Sequence, residues 1–527
     1  MAQRRHNFIS GAAVLALAVA VTKVLGALYK IPLGNLLDKE GMAHFYAAYN
    51  IYNLLLVLST AGLPLALSRL VSRAAAQGRL NAQRRIFRTA LALLAVIGLV
   101  CSAVMCLFPQ VLSGLLHDSL AAPAIRVLGP AVLFVCLTSA IRGYTQGLGD
   151  MTPTAVSQMT ESAGKLVIGL ALCLVLLHRG ADSSLCAAGA IAGVTAGSLL
   201  SLTVLTVFLL HRRDRAAVDV PPARSAVLRE LLTAGIPITL GAAGMSLITL
   251  LDQALVMSTL QNTLGYTEAA ATALYGEYTF GMTLFALPPS FIYPVTVSLV
   301  PDISAALARG DRPAAGRSAA AALKLTTLIA LPTGAGLSVL AGPILRLLYP
   351  AVPDTAAAAA YHLTILGIAC IFVCLMVATN GVLQAYGKEY IPVVTLLCGG
   401  ILKIITNYLM VGDPATNVRG APVSTLYCYG LIVVLNLIAI ARCVPERPSY
   451  LRLFARPVLI TAVMALAARS SYGLLSRSLP ERWAVLPAIA VAVVVYGVLV
   501  LALGAVTRQD VLDLPKGEKI ARMLHLH

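Results

Sequence analysis

The stretch LGPAVLFVCLTSAIRGYTQGLGD at residues 128–150 returns without a gap as LGIACIFVCLMVATNGVLQAYGK at residues 366–388. The same register continues to a lysine in each copy, Lys165 and Lys403. Gly129, Cys136, Gly143, Gln146 and Gly149 recur as Gly367, Cys374, Gly381, Gln384 and Gly387. Both copies are apolar enough to lie within a bilayer, so the chain carries two related halves with one matched intramembrane charge each. That pattern implies a carrier with a central cavity between two lobes.

The composition places the rest of the chain in the same environment. Of 527 residues, 59% are hydrophobic and 12% charged, with mean hydropathy +0.85. Soluble chains carry about 25% charged residues, so this is an all-α polytopic membrane protein. The polar stretches 211–230 and 507–527 are too short to hold a core of their own. Ten cysteines fall in or beside apolar spans, and none forms a CxxC or a His/Cys cluster. They read as small packing residues, with no metal site and no cofactor expected.

About fourteen apolar stretches are long enough to span about 30 Å of hydrocarbon. They lie near 8–30, 45–70, 87–108, 121–141, 154–177, 185–210, 231–259, 273–300, 319–347, 358–383, 391–411, 421–442, 454–474 and 484–506. The first resembles a signal peptide weakly, because apolar sequence resumes after Lys23. With the amino terminus inside, 27 of the 39 basic residues fall in inner segments and nine outside. This bias predicts both termini in the cytoplasm of a bacterial plasma membrane. It also accounts for the net charge of +17 without nucleic acid, through anionic membrane lipid. The repeat maps span 4 onto span 10, an even shift, so the halves enter the membrane in the same direction. The expected division is 1–219 as an N-lobe of spans 1–6 and 220–445 as a C-lobe of spans 7–12. Residues 446–527 add spans 13 and 14 and a basic cytoplasmic tail.

Lys165 and Lys403 sit about a dozen residues inside their spans. A charge there costs at least about 2.5–3.5 kcal/mol on insertion scales, so it must face a cavity or a partner. Glu161 precedes Lys165 by one helical turn and is a candidate partner. Lys23 lies deep in span 1, and a weaker register matches it to Asp252 of span 7. The two are candidates either for a substrate or ion site or for a structural ion pair. Pro64, Pro237, Pro288, Pro289 and Pro294 interrupt spans 2, 7 and 8. Each is a hinge candidate or a packing kink, since proline removes a helical hydrogen bond. No P-loop, Rossmann glycine motif, HExxH or Ser/His/Asp arrangement is present in the sequence. Transport rather than catalysis is expected, driven by an ion gradient or the membrane potential, the ion being open.

Several stretches carry a family resemblance: Thr22-Lys23-Val24-Leu25-Gly26-Ala27-Leu28-Tyr29-Lys30-Ile31-Pro32-Leu33, Thr60-Ala61-Gly62-Leu63-Pro64, and Arg142-Gly143-Tyr144-Thr145-Gln146-Gly147. Ala273-Leu274-Tyr275-Gly276-Glu277, Val297-Ser298-Leu299-Val300-Pro301-Asp302 and Asn380-Gly381-Val382-Leu383-Gln384 complete the set. Together they resemble the polysaccharide-biosynthesis branch of the multidrug/oligosaccharidyl-lipid/polysaccharide (MOP) exporters, with the stage V sporulation protein B and lipid II flippase relatives.

The resemblance implies two six-helix lobes in a V around a cationic cavity, plus two extra carboxy-terminal helices. The implied cargo is undecaprenyl-diphosphate-linked saccharide, foremost lipid II, with cell-wall synthesis enzymes as candidate partners. Lys23, Lys30, Arg142, Lys165 and Lys403 are then candidate diphosphate ligands, because fixed cations hold a phosphate strongly in a low-dielectric cleft. Asp252, Glu161 and Glu277 are candidate coupling or ion-pair residues. The family's downstream first-span arginine falls here on Tyr29, with Lys30 beside it. The competing readings are export of another lipid-linked repeat unit and a cation-coupled multidrug antiporter. The second should favour acidic cavity residues, which the paired lysines oppose.

Overall fold

The computed structural model describes residues 2–211, 219–444 and 449–505, with backbone alone at 2–17, 20, 240–241, 293–295, 297–299, 301 and 452. Arg212, Arg213, Arg215, Arg447 and the expected basic tail after residue 505 lie outside the described residues. The regular elements among the described residues are helical. In the first half these are α1 (Ala2–Leu36), α2 (Lys39–Thr60), α3 (Leu63–Ala76), α4 (Leu80–Leu107), α5 (Pro109–Leu115), α6 (Ala122–Gly147), α7 (Thr152–His178) and α8 (Ser183–Leu210). There follow α9 (Arg224–Ser258), α10 (Glu268–Phe285), α11 (Leu287–Ala308), α12 (Arg312–Val339), α13 (Ala341–Leu348), α14 (Pro353–Ala385), α15 (Tyr390–Val411), α16 (Gly420–Cys443), α17 (Tyr450–Leu475) and α18 (Val485–Ala502).

Twelve stretches among the described residues are long and apolar enough to cross a bilayer. With α1 and the α10–α11 pair, which cover expected spans 1 and 8, about fourteen spans result. Spans 2, 8 and 9 are each split in two. The span 2 break lies at Ala61–Gly62, with Pro64 near the start of α3, where its missing N–H costs nothing. Pro288 and Pro289 likewise open α11. Pro237 lies inside the continuous helix α9, and Pro294 lies within α11, where only backbone is described.

The repeat is visible in the backbone. Gly149 and Gly387, matching positions after α6 and α14, both take positive φ, +82° and +69°. Each closes its helix the same way. Gly149 N–H donates to Gln146 O and Asp150 N–H to Thr145 O, while Gly387 N–H donates to Gln384 O and Lys388 N–H to Leu383 O. Glycine is the residue that meets no Cβ penalty in that left-handed cap.

The chain forms two compact units: residues 1–279 with 407–418, and 280–406 with the described residues from 419 onward. In the first, α7 and α8 pack backbone to backbone, α6 packs on α4 and α8, and α2 lies against α6 and α9. The α7–α8 contact is made by glycines. A Cβ on Gly193 would overlap Gly169, and one on Gly164 would stand 2.8 Å from the Gly197 Cα. Small residues bring helices this close in a bilayer, where no hydrophobic effect drives them together. In the second unit α14 is central, flanked by α12, α11 and α16, and α17 packs on α12 and α18.

Candidate functional site: a cationic cluster on α1, α2, α6 and α7

The α7–α8 glycine contact sets the site. A Cβ at Gly197 would lie 2.5 Å from the Glu161 carbonyl oxygen and 2.9 Å from the Lys165 nitrogen. The backbone of α8 therefore passes directly against this turn of α7, close enough that a Cβ at Gly197 would also stand 3.1 Å from the Lys165 Cγ. Lys165 Nζ donates to Glu161 Oε1 at 2.7 Å. From α6, Arg142 Nη2 donates to Glu161 Oε2 at 3.1 Å, so one carboxylate bridges two cations. Arg142 also donates from Nε to Ser157 Oγ at 2.9 Å and from Nη2 to Ser201 Oγ of α8 at 3.0 Å. The guanidinium fork joins three helices with its own fixed geometry. Its side chain is 14% exposed, which corrects the count of Arg142 among inner loop charges: α6 extends past it to Gly147.

A second arm comes from α1. The Tyr29 hydroxyl donates to Ala190 O at 2.8 Å, and its ring seats against Gly169. Tyr29 is thus a packing residue on the α7–α8 side. Lys30 turns to α2, where Nζ donates to the Tyr46 hydroxyl at 3.2 Å and stands 4.6 Å and 5.3 Å from the ring centres of Tyr46 and Tyr49. Tyr49 and Tyr52 also lie in electrostatic range of Lys165. A tyrosine face at 46, 49 and 52 therefore runs along α2 from one lysine to the other. That i, i+3, i+6 spacing was readable in the sequence, but three tyrosines in an apolar span look like ordinary core. Ser157 and Ser201 carried no signal at all.

Lys23 is exposed, seven residues before Lys30 and so on nearly the same face of α1. Asp252 is 4% exposed and accepts from Asn407 Nδ2 at 2.6 Å. The register that matched them relates equivalent positions, and equivalence in a repeat does not imply contact. Beside Asp252, Asn50 donates to Gln253 at 2.7 Å. Glu277 binds Lys39 at 2.9 Å, a partner the loop count had placed as an outer charge. In the other unit Lys403 is buried, 5% exposed. Gly399 stands where Glu161 would be, so the repeat keeps the lysine and drops the carboxylate one turn before it.

The second unit keeps the joint as well. Asn380 and Thr395 match Arg142 and Ser157 in register. There Asn436 of α16 donates to Asn380 Oδ1 at 2.8 Å and Thr379 Oγ1 at 3.0 Å, and accepts from Thr395 at 2.8 Å. The first unit thus holds Lys30, Arg142 and Lys165 against Glu161, a surplus of positive charge among hydroxyl donors. Such a set can hold a multiply charged oxyanion.

A family model for polysaccharide biosynthesis proteins matches residues 8–307, and a MatE model matches residues 237–409. Among curated proteins of Bacillus subtilis (strain 168), the chain is 27% identical to the uncharacterized membrane protein YabM, over 99% of this chain and 97% of that one. It is 24% identical to stage V sporulation protein B (84% and 85% covered) and 24% identical to the lipid II flippase MurJ (88% of each). Among solved structures, the lipid II flippase MurJ in an inward closed conformation superposes with a TM-score of 0.71 at 14% identity, covering 93% of this chain and 98% of that one. An inward-facing multidrug-resistance transporter of the MATE family gives a TM-score of 0.64 at 15% identity, over 84% and 98%. The chain is a multi-pass membrane protein of the MOP superfamily and belongs to its polysaccharide biosynthesis protein family.

Proposed function

We propose that the protein is a flippase that moves an undecaprenyl-diphosphate-linked saccharide from the inner to the outer leaflet by alternating access, with lipid II as the foremost cargo. The observation that supports this reading is the cluster of Arg142, Lys165 and Lys30 beside a tyrosine face. A diphosphate entering the cluster would compete with Glu161 for Arg142 and Lys165. It would bring the negative charge that the surplus cations lack. The saccharide would use the hydroxyls of Tyr46, Tyr49 and the serines, while the isoprenoid tail stays in the bilayer. No covalent step is needed. An ion gradient or the membrane potential supplies the drive, with both termini on the cytoplasmic side.

The test is rescue of a bacterium depleted of its own lipid II flippases. Rescue by wild type, and not by an equally expressed Lys165→Ala or Lys23→Ala variant, supports lipid II and the basic site together. No rescue by a correctly inserted wild type favours another lipid-linked repeat unit, the reading that the polysaccharide-family match supports. Drug-resistance assays then test the antiporter alternative.

A further inference from the structure

Four tyrosines border the cationic cluster, and the hydroxyls of three have partners. Tyr29 donates to Ala190 O, Tyr46 accepts from Lys30, and Tyr52 is hydrogen-bonded with Ser198 of α8. Tyr49 is half-buried, and its hydroxyl makes no hydrogen bond among the described residues. Its ring is nonetheless fixed. Phe45, one turn earlier on α2, stacks on it at 5.9 Å and 12°, and the Tyr52 ring stands 5.8 Å away. With Lys30 Nζ 5.3 Å from its centre, little of the ring stays open for a sugar to stack on. What Tyr49 offers is its hydroxyl.

The two lysines in electrostatic range of Tyr49 differ in charge compensation. Lys165 is paired with Glu161, which also binds Arg142. Lys30 meets a hydroxyl and two ring faces, and no carboxylate pairs with it among the described residues. Ring faces attract an ammonium but supply no counter-charge. An intramembrane cation in that state is costly, and an anion at Lys30 would relieve the cost.

We propose that Tyr49 is the residue that selects a diphosphate over a monophosphate. Its O–H donates to an anion with one phosphate at Arg142 and Lys165 and the other at Lys30. The inference rests on the flippase reading and names the headgroup chemistry that the site prefers. A single phosphate satisfies the Arg142–Lys165 end and leaves Lys30 as it stands. Two linked phosphates satisfy both ends, with the Tyr49 hydroxyl between them. A tyrosine hydroxyl has one proton to give and lone pairs to receive, so the same oxygen still accepts from a sugar hydroxyl. No covalent bond is made or broken.

The test measures binding of farnesyl diphosphate and farnesyl phosphate to the full chain in lipid nanodiscs by calorimetry, with empty nanodiscs subtracted. The readout is the ratio of the two affinities, which a general loss of packing does not move. Wild type should favour the diphosphate, and Tyr49→Phe should cut that preference about tenfold, the worth of one charge-assisted hydrogen bond. Lys30→Met should remove most of what remains. A ratio near one in wild type overturns the assignment whatever the variants do. An equal ratio in wild type and folded Tyr49→Phe also overturns it, as does a larger fall in Tyr52→Phe than in Tyr49→Phe.

Inorganic pyrophosphate separates the two sources of a diphosphate. Weaker binding than farnesyl diphosphate supports a lipid-linked group. Equal binding keeps Tyr49 in its role and overturns the lipid-linked source. The flippase reading falls on different results. A Tyr49-dependent ratio in a wild type that neither rescues flippase-depleted cells nor moves lipid in liposomes removes transport and leaves the headgroup site. Rescue by wild type with a ratio that ignores Tyr49 does the reverse.

Discussion

Arg142 of α6 and Asn380 of α14 stand at the same position of the two repeat copies, and each takes part in a joint of three helices. In the first unit the joint is charged, with Arg142 bound to Ser157, Ser201 and Glu161. In the second it is neutral and centred on Asn436. The repeat has therefore kept a polar junction and differentiated its charge, concentrating the cation surplus beside α2.

Truncating the charged joint and the neutral joint should have separable effects. Arg142→Ala removes a cation that the proposed diphosphate would bind, and it should abolish rescue of flippase-depleted cells. Asn436→Ala leaves Thr395, Thr379 and Asn380 short of a partner, a loss of about 1–3 kcal/mol in stability. It should lower the thermal unfolding midpoint while retaining most of the rescue in protein that reaches the membrane.

Glu161 pairs with two cations at once. Glu161→Gln should destabilise the first unit by about 3 kcal/mol, since removing one member of a buried charge group strands the others. Adding Lys165→Met to Glu161→Gln should recover part of that loss in a double-mutant cycle read by thermal unfolding. Additive losses would show that the two side chains do not depend on each other.

Gly197 makes no hydrogen bond to the site, yet it sets the site's position. Gly197→Ala should push α8 off the turn that carries Glu161 and Lys165, because its Cβ would meet the Glu161 carbonyl oxygen at 2.5 Å. We expect loss of rescue with near-normal insertion, whereas Gly430→Ala, which meets nothing within 4 Å, should be silent.

One contact gives a pH dependence with a definite sign. Asp219 accepts from the N–H groups of Asn81 and Ala82 at 2.8 Å and 3.0 Å, fastening the linker before α9 to the start of α4. Desolvation, the largest single cause, pushes its carboxyl up, but the backbone N–H donors and Arg79 together pull it further down, so it sits below the ordinary value. The folded state thus binds this proton less readily than the unfolded chain does. The stabilisation is present above the ordinary carboxylate range and is lost as pH falls through it. Protease nicking at residues 219–223 should rise on acidification in wild type, and should already be raised at neutral pH in Asp219→Asn.

Three changes address the intramembrane lysines directly. Lys23→Ala alone, and Lys165→Ala with Lys403→Ala, should impair rescue without preventing membrane insertion. Full rescue by well-expressed variants would remove the basic-site argument.

Composition, the repeat and the spacing of apolar stretches determined that this chain is a helical membrane protein with two related halves. Those signals are one-dimensional, because burial of every backbone group in a bilayer leaves few structures besides helices. They also brought Glu161 and Lys165 together, since one turn of helix fixes that distance. Only the tertiary structure could add Arg142, Ser201 and the tyrosines of α2. These relationships depend on which face each helix turns to its neighbours. That choice was made by glycines such as Gly169, Gly193 and Gly197, whose missing side chains decide how closely two backbones approach.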